Sequence, residues 1–245
     1  MQYNIVTLTN MRDYILFLRR ITPMQNEMKQ TTNNITELVF ILDKSGSMAG
    51  LENDTIGGFN SMIEKQKEVD GEVYVTTVLF STFYEKLHNR TPLSEIKPLT
   101  TRDYIVGGGT ALLDAVGNTI EHFNIIHTYA RKEDVPSKTI FIITTDGEEN
   151  ASSRFSYAQI KELISKQKEE KGWEFIFAGA NIDAESTADR MGIHRDRAIQ
   201  YNANTDIHCC YETIDNYVSS YRMDKRLEKK LSKLFDERKK NMTKK

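Results

Sequence analysis

Cysteine is scarce in this chain of 245 residues: Cys209 and Cys210 are its only two, and they are adjacent. Neighbouring cysteines rarely meet the geometry of a structural disulfide, and such bonds belong to oxidising compartments. We therefore expect a reduced, cytoplasmic protein. His208 precedes the pair, but zinc sites normally need wider spacing and a fourth ligand. The pattern favours small buried residues on a helix.

The sequence also lacks any apolar run near the roughly 20 residues that cross a bilayer, so we expect no membrane span. The net charge is only −2, but it is unevenly distributed. Residues 222–245 hold eleven Lys or Arg and four Asp or Glu, a net of +7, so residues 1–221 carry −9. An acidic body suits cation binding, and a basic end can contact an acidic protein or nucleic acid.

Strand-like and helix-like segments alternate from residue 36 onward, which predicts a doubly wound, mostly parallel α/β sheet with helices on both faces. Residues 38–42 and 138–145 are nearly continuous apolar runs, typical of strands covered on both sides. A short turn joins the strand-like residues 72–81 and 83–88, which predicts one antiparallel edge strand. Further strands are predicted at 173–179 and 198–201, and helices at 51–69, 111–126, 156–170, 183–191 and 205–221.

Gly57 and Gly58 interrupt the first of these helices. Each glycine lowers helix propensity by about 1 kcal/mol. We expect close packing of this helix against the sheet to compensate.

Three regions follow from the pattern: an accessory segment at 1–35, an α/β domain at 36–221 and a basic segment at 222–245. The first is either disordered or a short amphipathic helix, and it lacks the features of a secretory signal. We expect residues 1–27 to be accessory or to precede the natural start. The last has apolar residues at helical spacing among basic ones, so it either docks on the domain or binds a partner.

Oxygen-bearing side chains follow two of the predicted strands and a glycine-rich loop. Asp43, Ser45 and Ser47 come after residues 38–42, Asp146 follows the strand at 138–145, and Thr110 follows three glycines. Ligands of open α/β sheets bind at the carboxyl ends of strands, and Mg²⁺ prefers such oxygen ligands. Taken singly, Asp and Ser are also common turn and cap residues at strand ends. The combination favours a metal site.

Together these motifs resemble the von Willebrand factor type A (vWA) domain family, in particular its stand-alone prokaryotic or phage members. In that family an Asp-x-Ser-x-Ser motif, a distant Thr and a more distant Asp form the metal-ion-dependent adhesion site (MIDAS). The resemblance implies a Mg²⁺ or Mn²⁺ site with an open position that accepts an acidic side chain from a partner protein. The ligands it implies here are Asp43, Ser45, Ser47, Thr110 and Asp146.

The function implied by the resemblance is a cation-dependent protein-binding module, not an enzyme. Family members of this type often accompany AAA-type ATPases or stress-resistance systems, which implies such an assembly as the partner. The helix at 111–126 begins just past Thr110, and its N-terminus would favour an anionic partner. Glu148 and Glu149 follow Asp146, and we expect them to be solvated loop residues.

Two other functions compete with protein binding. A metal-assisted hydrolase needs a positioned base or a second metal, but all five histidines lie outside the ligand segments. The sequence also has no P-loop, His-Glu-x-x-His or Gly-x-Ser-x-Gly motif. RNA binding through residues 222–245 is weakened because Phe235 is their only aromatic residue. We therefore expect neither catalytic residues nor a nucleic-acid partner.

Overall fold

The computed structural model describes residues 34–180, 182–202 and 206–223. Over these residues six strands form one sheet in the order β3-β2-β1-β4-β5-β6. Every neighbouring pair is parallel except β2 and β3, which are antiparallel. The predicted sheet with one antiparallel edge strand is therefore confirmed. The strands are β1 Thr36–Asp43, β2 Val73–Phe80, β3 Tyr84–Pro92, β4 Lys138–Thr145, β5 Glu174–Ala180 and β6 Ala198–Tyr201.

Helices cover both faces of this sheet, as its doubly wound pattern predicts. Residues of β1 alternate between two apolar cores: Leu38 and Phe40 face one, and Val39 and Ile41 face the other. A strand buried on both faces explains why the sequence of β1 is continuously apolar. The described helices are α1 Glu52–Lys67, α2 Leu112–Tyr129, α3 Tyr157–Lys171, α4 Ala184–Arg190 and α5 Ile207–Met223.

Helices α1 and α5 lie on the same face of the sheet and pack against each other at Gly58. A Cβ on this glycine would lie 2.2 Å from Cδ2 of Tyr211 in α5. The expectation that the glycines of α1 serve its approach to the sheet is wrong for Gly58, because its close neighbour is a helix. Gly57 is less constrained, since its Cβ would lie 4.0 Å from the His208 ring.

The last described helix is held in place by a buried polar contact. Arg222 donates from Nη1 to the carbonyl of Gln66 at 2.7 Å and from Nη2 to the carbonyl of Val69 at 2.7 Å. Gln66 in turn donates to Oδ1 of Asp215 in α5 at 2.7 Å. Arg222, the first residue of the basic segment, is thus buried against α1. Residues 224–245 of that segment, and residues 1–33 of the accessory segment predicted at 1–35, lie outside the described residues.

Both cysteines are free and lie on α5, as the sequence predicts, but the expected burial holds only for Cys210 because Cys209 is half-buried. Cys210 is fully buried, and burial raises the pKa of its thiol far above the ordinary range. Among the described residues, no group of three or more His, Cys, Asp or Glu side chains is placed to hold a metal ion. The same part of the chain has no helix that is long and apolar enough to cross a bilayer.

Candidate metal centre

The two aspartates of the predicted site lie side by side because their strands are neighbours. Asp43 is the last residue of β1, and Asp146 follows the last residue of β4. These strands are parallel and pair Leu42 with Thr144, so their carboxyl ends meet at one edge. Burial raises the pKa of Asp43 above its ordinary value, and the negative charge of the nearby Asp146 adds to this rise.

The three hydroxyl residues lie at the same edge. Ser47 donates from Oγ to Oδ1 of Asp146 at 2.6 Å, and its Oγ lies 3.0 Å from Oγ of Ser45. A Cβ on Gly147 would lie 2.7 Å from Oγ of Ser47 and 2.9 Å from Oγ1 of Thr110. Both hydroxyls therefore flank the glycine that follows Asp146. The structure thus brings together all five residues named from the sequence.

Asp43 is held by donors on both of its carboxylate oxygens. Oδ1 accepts a hydrogen bond from the Ser45 amide at 2.7 Å, and Oδ2 accepts one from Oγ1 of Thr145 at 2.6 Å. Thr145 is not among the ligands predicted from the sequence. Its place directly before Asp146, at the end of a strand beside β1, is the signal that could have revealed this role. The hydroxyl of Tyr104 also donates to the backbone carbonyl of Asp43.

Both carboxyl groups are buried, and no described residue forms an ion pair with them. Burial is the largest cause that raises the pKa of Asp43 and of Asp146 above their ordinary values. No ion pair within the described residues involves either one, and Lys44, the adjacent cation, pairs with Glu85 instead. Two carboxylates out of water are costly unless they are paired or coordinate a metal. This donor set of two acids and three hydroxyls fits a hard divalent cation.

Backbone hydrogen bonds fix the glycine loop that carries Thr110. The amide of Gly46 donates to the carbonyl of Gly108 at 3.0 Å, and the amide of Gly107 donates to the carbonyl of Lys44 at 2.8 Å. Gly108 has φ +81°, which favours glycine, and a Cβ there would lie 2.8 Å from Oγ1 of Thr82. The amide of Gly109 donates to Oγ1 of Thr82 at 2.8 Å. The loop is therefore fastened both to the segment after β1 and to the turn after β2.

The loop after Asp146 fixes Thr110 from the other side. Oδ1 of Asn150 accepts a hydrogen bond from the Thr110 amide at 2.8 Å, and the Asn150 amide donates to the Thr110 carbonyl at 3.1 Å. Sequence alone does not single out Asn150. Its contacts make it a positioning residue for Thr110.

Glu148 is exposed, as predicted, but the prediction of a solvated side chain is wrong for Glu149. The Glu149 carboxylate accepts hydrogen bonds from the amides of Leu113, Ala151 and Ser152 at 2.9, 2.9 and 2.7 Å. The amide of Asp114 donates to Oγ of Ser152 at 3.0 Å. Two amides in the first turn of α2 are therefore satisfied within the protein, so the expected anion-binding role is wrong for these donors.

No family model matches the sequence, and no curated protein matches it significantly. Solved structures do resemble it. The vWF domain of the type V pili tip protein Mfa5 from Porphyromonas gingivalis is 10% identical, with a TM-score of 0.55 over 75% of this chain and 94% of that chain.

The chain has the vWA fold. The manganese-loaded TRAP protein of Plasmodium vivax is 17% identical, with a TM-score of 0.51 over 72% of each chain. Proximal thread matrix protein 1 from the mussel byssus is 13% identical, with a TM-score of 0.53 over 74% of this chain. The present chain spans 45% of the mussel protein's length. The similarity of fold thus extends to proteins of low sequence identity.

Proposed function

We propose that this vWA-fold chain is a divalent-cation-dependent protein-binding module. The observation that carries the proposal is the pair of buried carboxylates, Asp43 and Asp146, at one sheet edge, neither of which forms an ion pair with a described residue. A bound Mg²⁺ or Mn²⁺ ion would balance their charge, since buried charges are paired or coordinate metals. The manganese-loaded TRAP protein supports a divalent cation in this fold.

The proposed ion would be bound by side chains of this chain and would itself bind a carboxylate of the partner protein. When bound, the cation would offer an open coordination position to an oxygen atom of another molecule. A negatively charged carboxylate suits that position because opposite charges attract. An acidic side chain of a partner protein is therefore the proposed recognition element. The residues that would hold the ion as a MIDAS are Asp43, Ser45, Ser47, Thr110 and Asp146.

Binding, rather than catalysis, is the proposed role of this site. A hydrolase would need a general base close to the cation. His127 packs against the ring of Trp173, with centroids 5.3 Å apart, and burial lowers its pKa to about 4. His122 contacts Lys86 and Asn89. These contacts support structural roles for both histidines, and the proposed cytoplasmic location agrees with the two free cysteines.

Calorimetric titration with MnCl₂ tests the metal site. We expect one site in the wild type and a loss of at least about tenfold in affinity for Asp43→Asn and Asp146→Asn, because each removes a charged oxygen ligand. Asp189→Asn is the matched control, since Asp189 is an exposed aspartate on α4. Unchanged affinity in both site variants would contradict the proposal.

A further inference from the structure

Two large apolar side chains are exposed next to the candidate metal centre. Phe83 is 83% exposed in the turn between β2 and β3, and Ile105 is 68% exposed just before the glycine loop. Neither contributes to the apolar cores of the described residues. Their exposure costs free energy in the isolated chain, and a partner that covered them would recover it.

Hydrogen bonds join the turn that holds Phe83, and the loop that follows Ile105, to the segments that carry the proposed ligands. The amide of Ser81 donates to the carbonyl of Phe83 at 2.8 Å, and the amide of Ala111 donates to the carbonyl of Ser81 at 2.9 Å. The turn that holds Phe83 is thereby fastened beside Thr110. Gly107, two residues after Ile105, donates to the carbonyl of Lys44 at 2.8 Å. Phe83 thus lies in a turn that is hydrogen-bonded to the end of the glycine loop, and Ile105 lies just before the start of that loop.

The glycine loop leaves backbone accessible near these residues. A Cβ on Gly107 would meet no atom within 4 Å, so this part of the loop is open to a partner. Lys44, the cation nearest in sequence to Asp43, forms an ion pair with Glu85. A partner that approaches over the glycine loop would therefore contact exposed backbone as well as these two apolar side chains.

We infer that Phe83 and Ile105 form the apolar half of the partner-binding surface, so that the partner presents an Asp or Glu directly beside a large apolar side chain. This inference rests on the proposed function, because the proposed cation is what selects the acidic residue. The partner's apolar side chain adds buried interface area that a single carboxylate cannot supply, since interface cores are enriched in aromatic and aliphatic contacts. The occupant is thus a loop of a partner protein with this two-residue chemistry.

Three dye-labelled cyclic peptides of glycine and serine test the inference with the full chain in MgCl₂. Their tips carry Asp-Phe, Asp-Ser and Asn-Phe, and binding is followed by fluorescence anisotropy. We expect the Asp-Phe peptide to bind about tenfold more tightly than the Asp-Ser peptide, because one aromatic side chain leaves water. The Asn-Phe peptide should bind far more weakly than the Asp-Phe peptide.

A matched pair of double variants locates the apolar contact. Phe83→Ser with Ile105→Ser should reduce the preference for Asp-Phe over Asp-Ser to about one. The control, Tyr129→Ser with Ile125→Ser, removes two similarly exposed apolar side chains from α2, where they are 83% and 61% exposed. It should leave the preference for Asp-Phe over Asp-Ser unchanged. Titration with MnCl₂ should give the same metal affinity in both double variants, which shows that the site itself is intact.

The outcomes separate this inference from the proposed function. Equal binding of the two Asp peptides, abolished by Asp146→Asn, would overturn the apolar contact and leave the metal-dependent module standing. Binding that survives Asp146→Asn would overturn the proposed function. A preference for Asp-Phe that persists in the Phe83 and Ile105 double variant, or no peptide binding by a chain that binds Mn²⁺, would also overturn the inference.

Discussion

Residues in the candidate site divide into those that offer oxygen atoms and those that orient them. Asp43 has a donor on each carboxylate oxygen, so its orientation is fixed before any ion arrives. Thr110 is fixed through its backbone by the glycine loop and by Asn150. Such outer contacts typically change metal affinity by roughly 10- to 100-fold when they are removed.

Asn150→Ala tests the positioning of Thr110. The Thr110 amide would lose its acceptor, and we expect the affinity for Mn²⁺ to fall by about tenfold. Asn118→Ala is the control: Asn118 contacts the Asp114 carbonyl and Arg154 but no proposed ligand, so only stability should change. Calorimetry for the metal and urea unfolding for stability separate the two effects. An Asn150 variant with wild-type metal affinity would remove the positioning role.

Glu37, at the opposite edge of the sheet, should make the free energy of unfolding depend on pH. It is fully buried at the start of β1, and its Oε2 accepts a hydrogen bond from Nε of Arg90 at 2.8 Å. Burial raises the pKa of Glu37 from 4.5 to about 7, although Arg90 acts to lower it. The folded state therefore binds a proton that the unfolded state has released, and the free energy of unfolding falls as pH rises across this interval.

Glu37→Gln should remove this pH dependence. Between about pH 4.5 and 7, the wild type should lose up to about 3 kcal/mol of unfolding free energy relative to the variant. Urea unfolding at several pH values measures the difference, with Glu64→Gln as an exposed control. Parallel pH profiles for the wild type and Glu37→Gln would show that Glu37 ionises normally in the folded chain.

Elements were predictable to the extent that they depend on local sequence. Continuous apolar runs predicted strands such as β1 and β4, because a strand buried on both faces is apolar throughout. Helical spacing of apolar residues predicted α2, because a helix buried on one face repeats them with its own period. The partners of polar residues were not predictable. Gln66 and Arg222 are 156 positions apart, and Glu149 caps α2 through a loop whose direction no local pattern specifies.

The contact between α1 and α5 gives a test at the scale of elements. Gly58→Ala should lower the free energy of unfolding by about 1–3 kcal/mol, because its Cβ would overlap the Tyr211 ring. Gly57→Ala should instead stabilise the protein by up to about 1 kcal/mol through helix propensity. Urea unfolding of both variants compares them directly. Equal effects of the two substitutions would contradict the packing described for Gly58.

At the scale of the whole molecule, the strand order explains why the candidate site could be predicted from separate motifs. Parallel β1 and β4 place Asp43 and Asp146 at the same edge, and the glycine loop brings Thr110 to them. Strand order follows general rules of doubly wound sheets, so the convergence of strand ends was expected. The exposure of Phe83 and Ile105 near the site could not be predicted from the sequence, because it depends on the conformation of the loops.

The most direct measurement is a crystal structure of the chain grown with MnCl₂, with data collected at the manganese absorption edge. The account predicts one strong anomalous peak at the carboxyl ends of β1 and β4, surrounded by oxygens of Asp43, Ser45, Ser47, Thr110 and Asp146. Crystals of Asp146→Asn should lack the peak or show it greatly weakened. A wild-type crystal with manganese bound only elsewhere, and those five side chains arranged without it, would contradict the account.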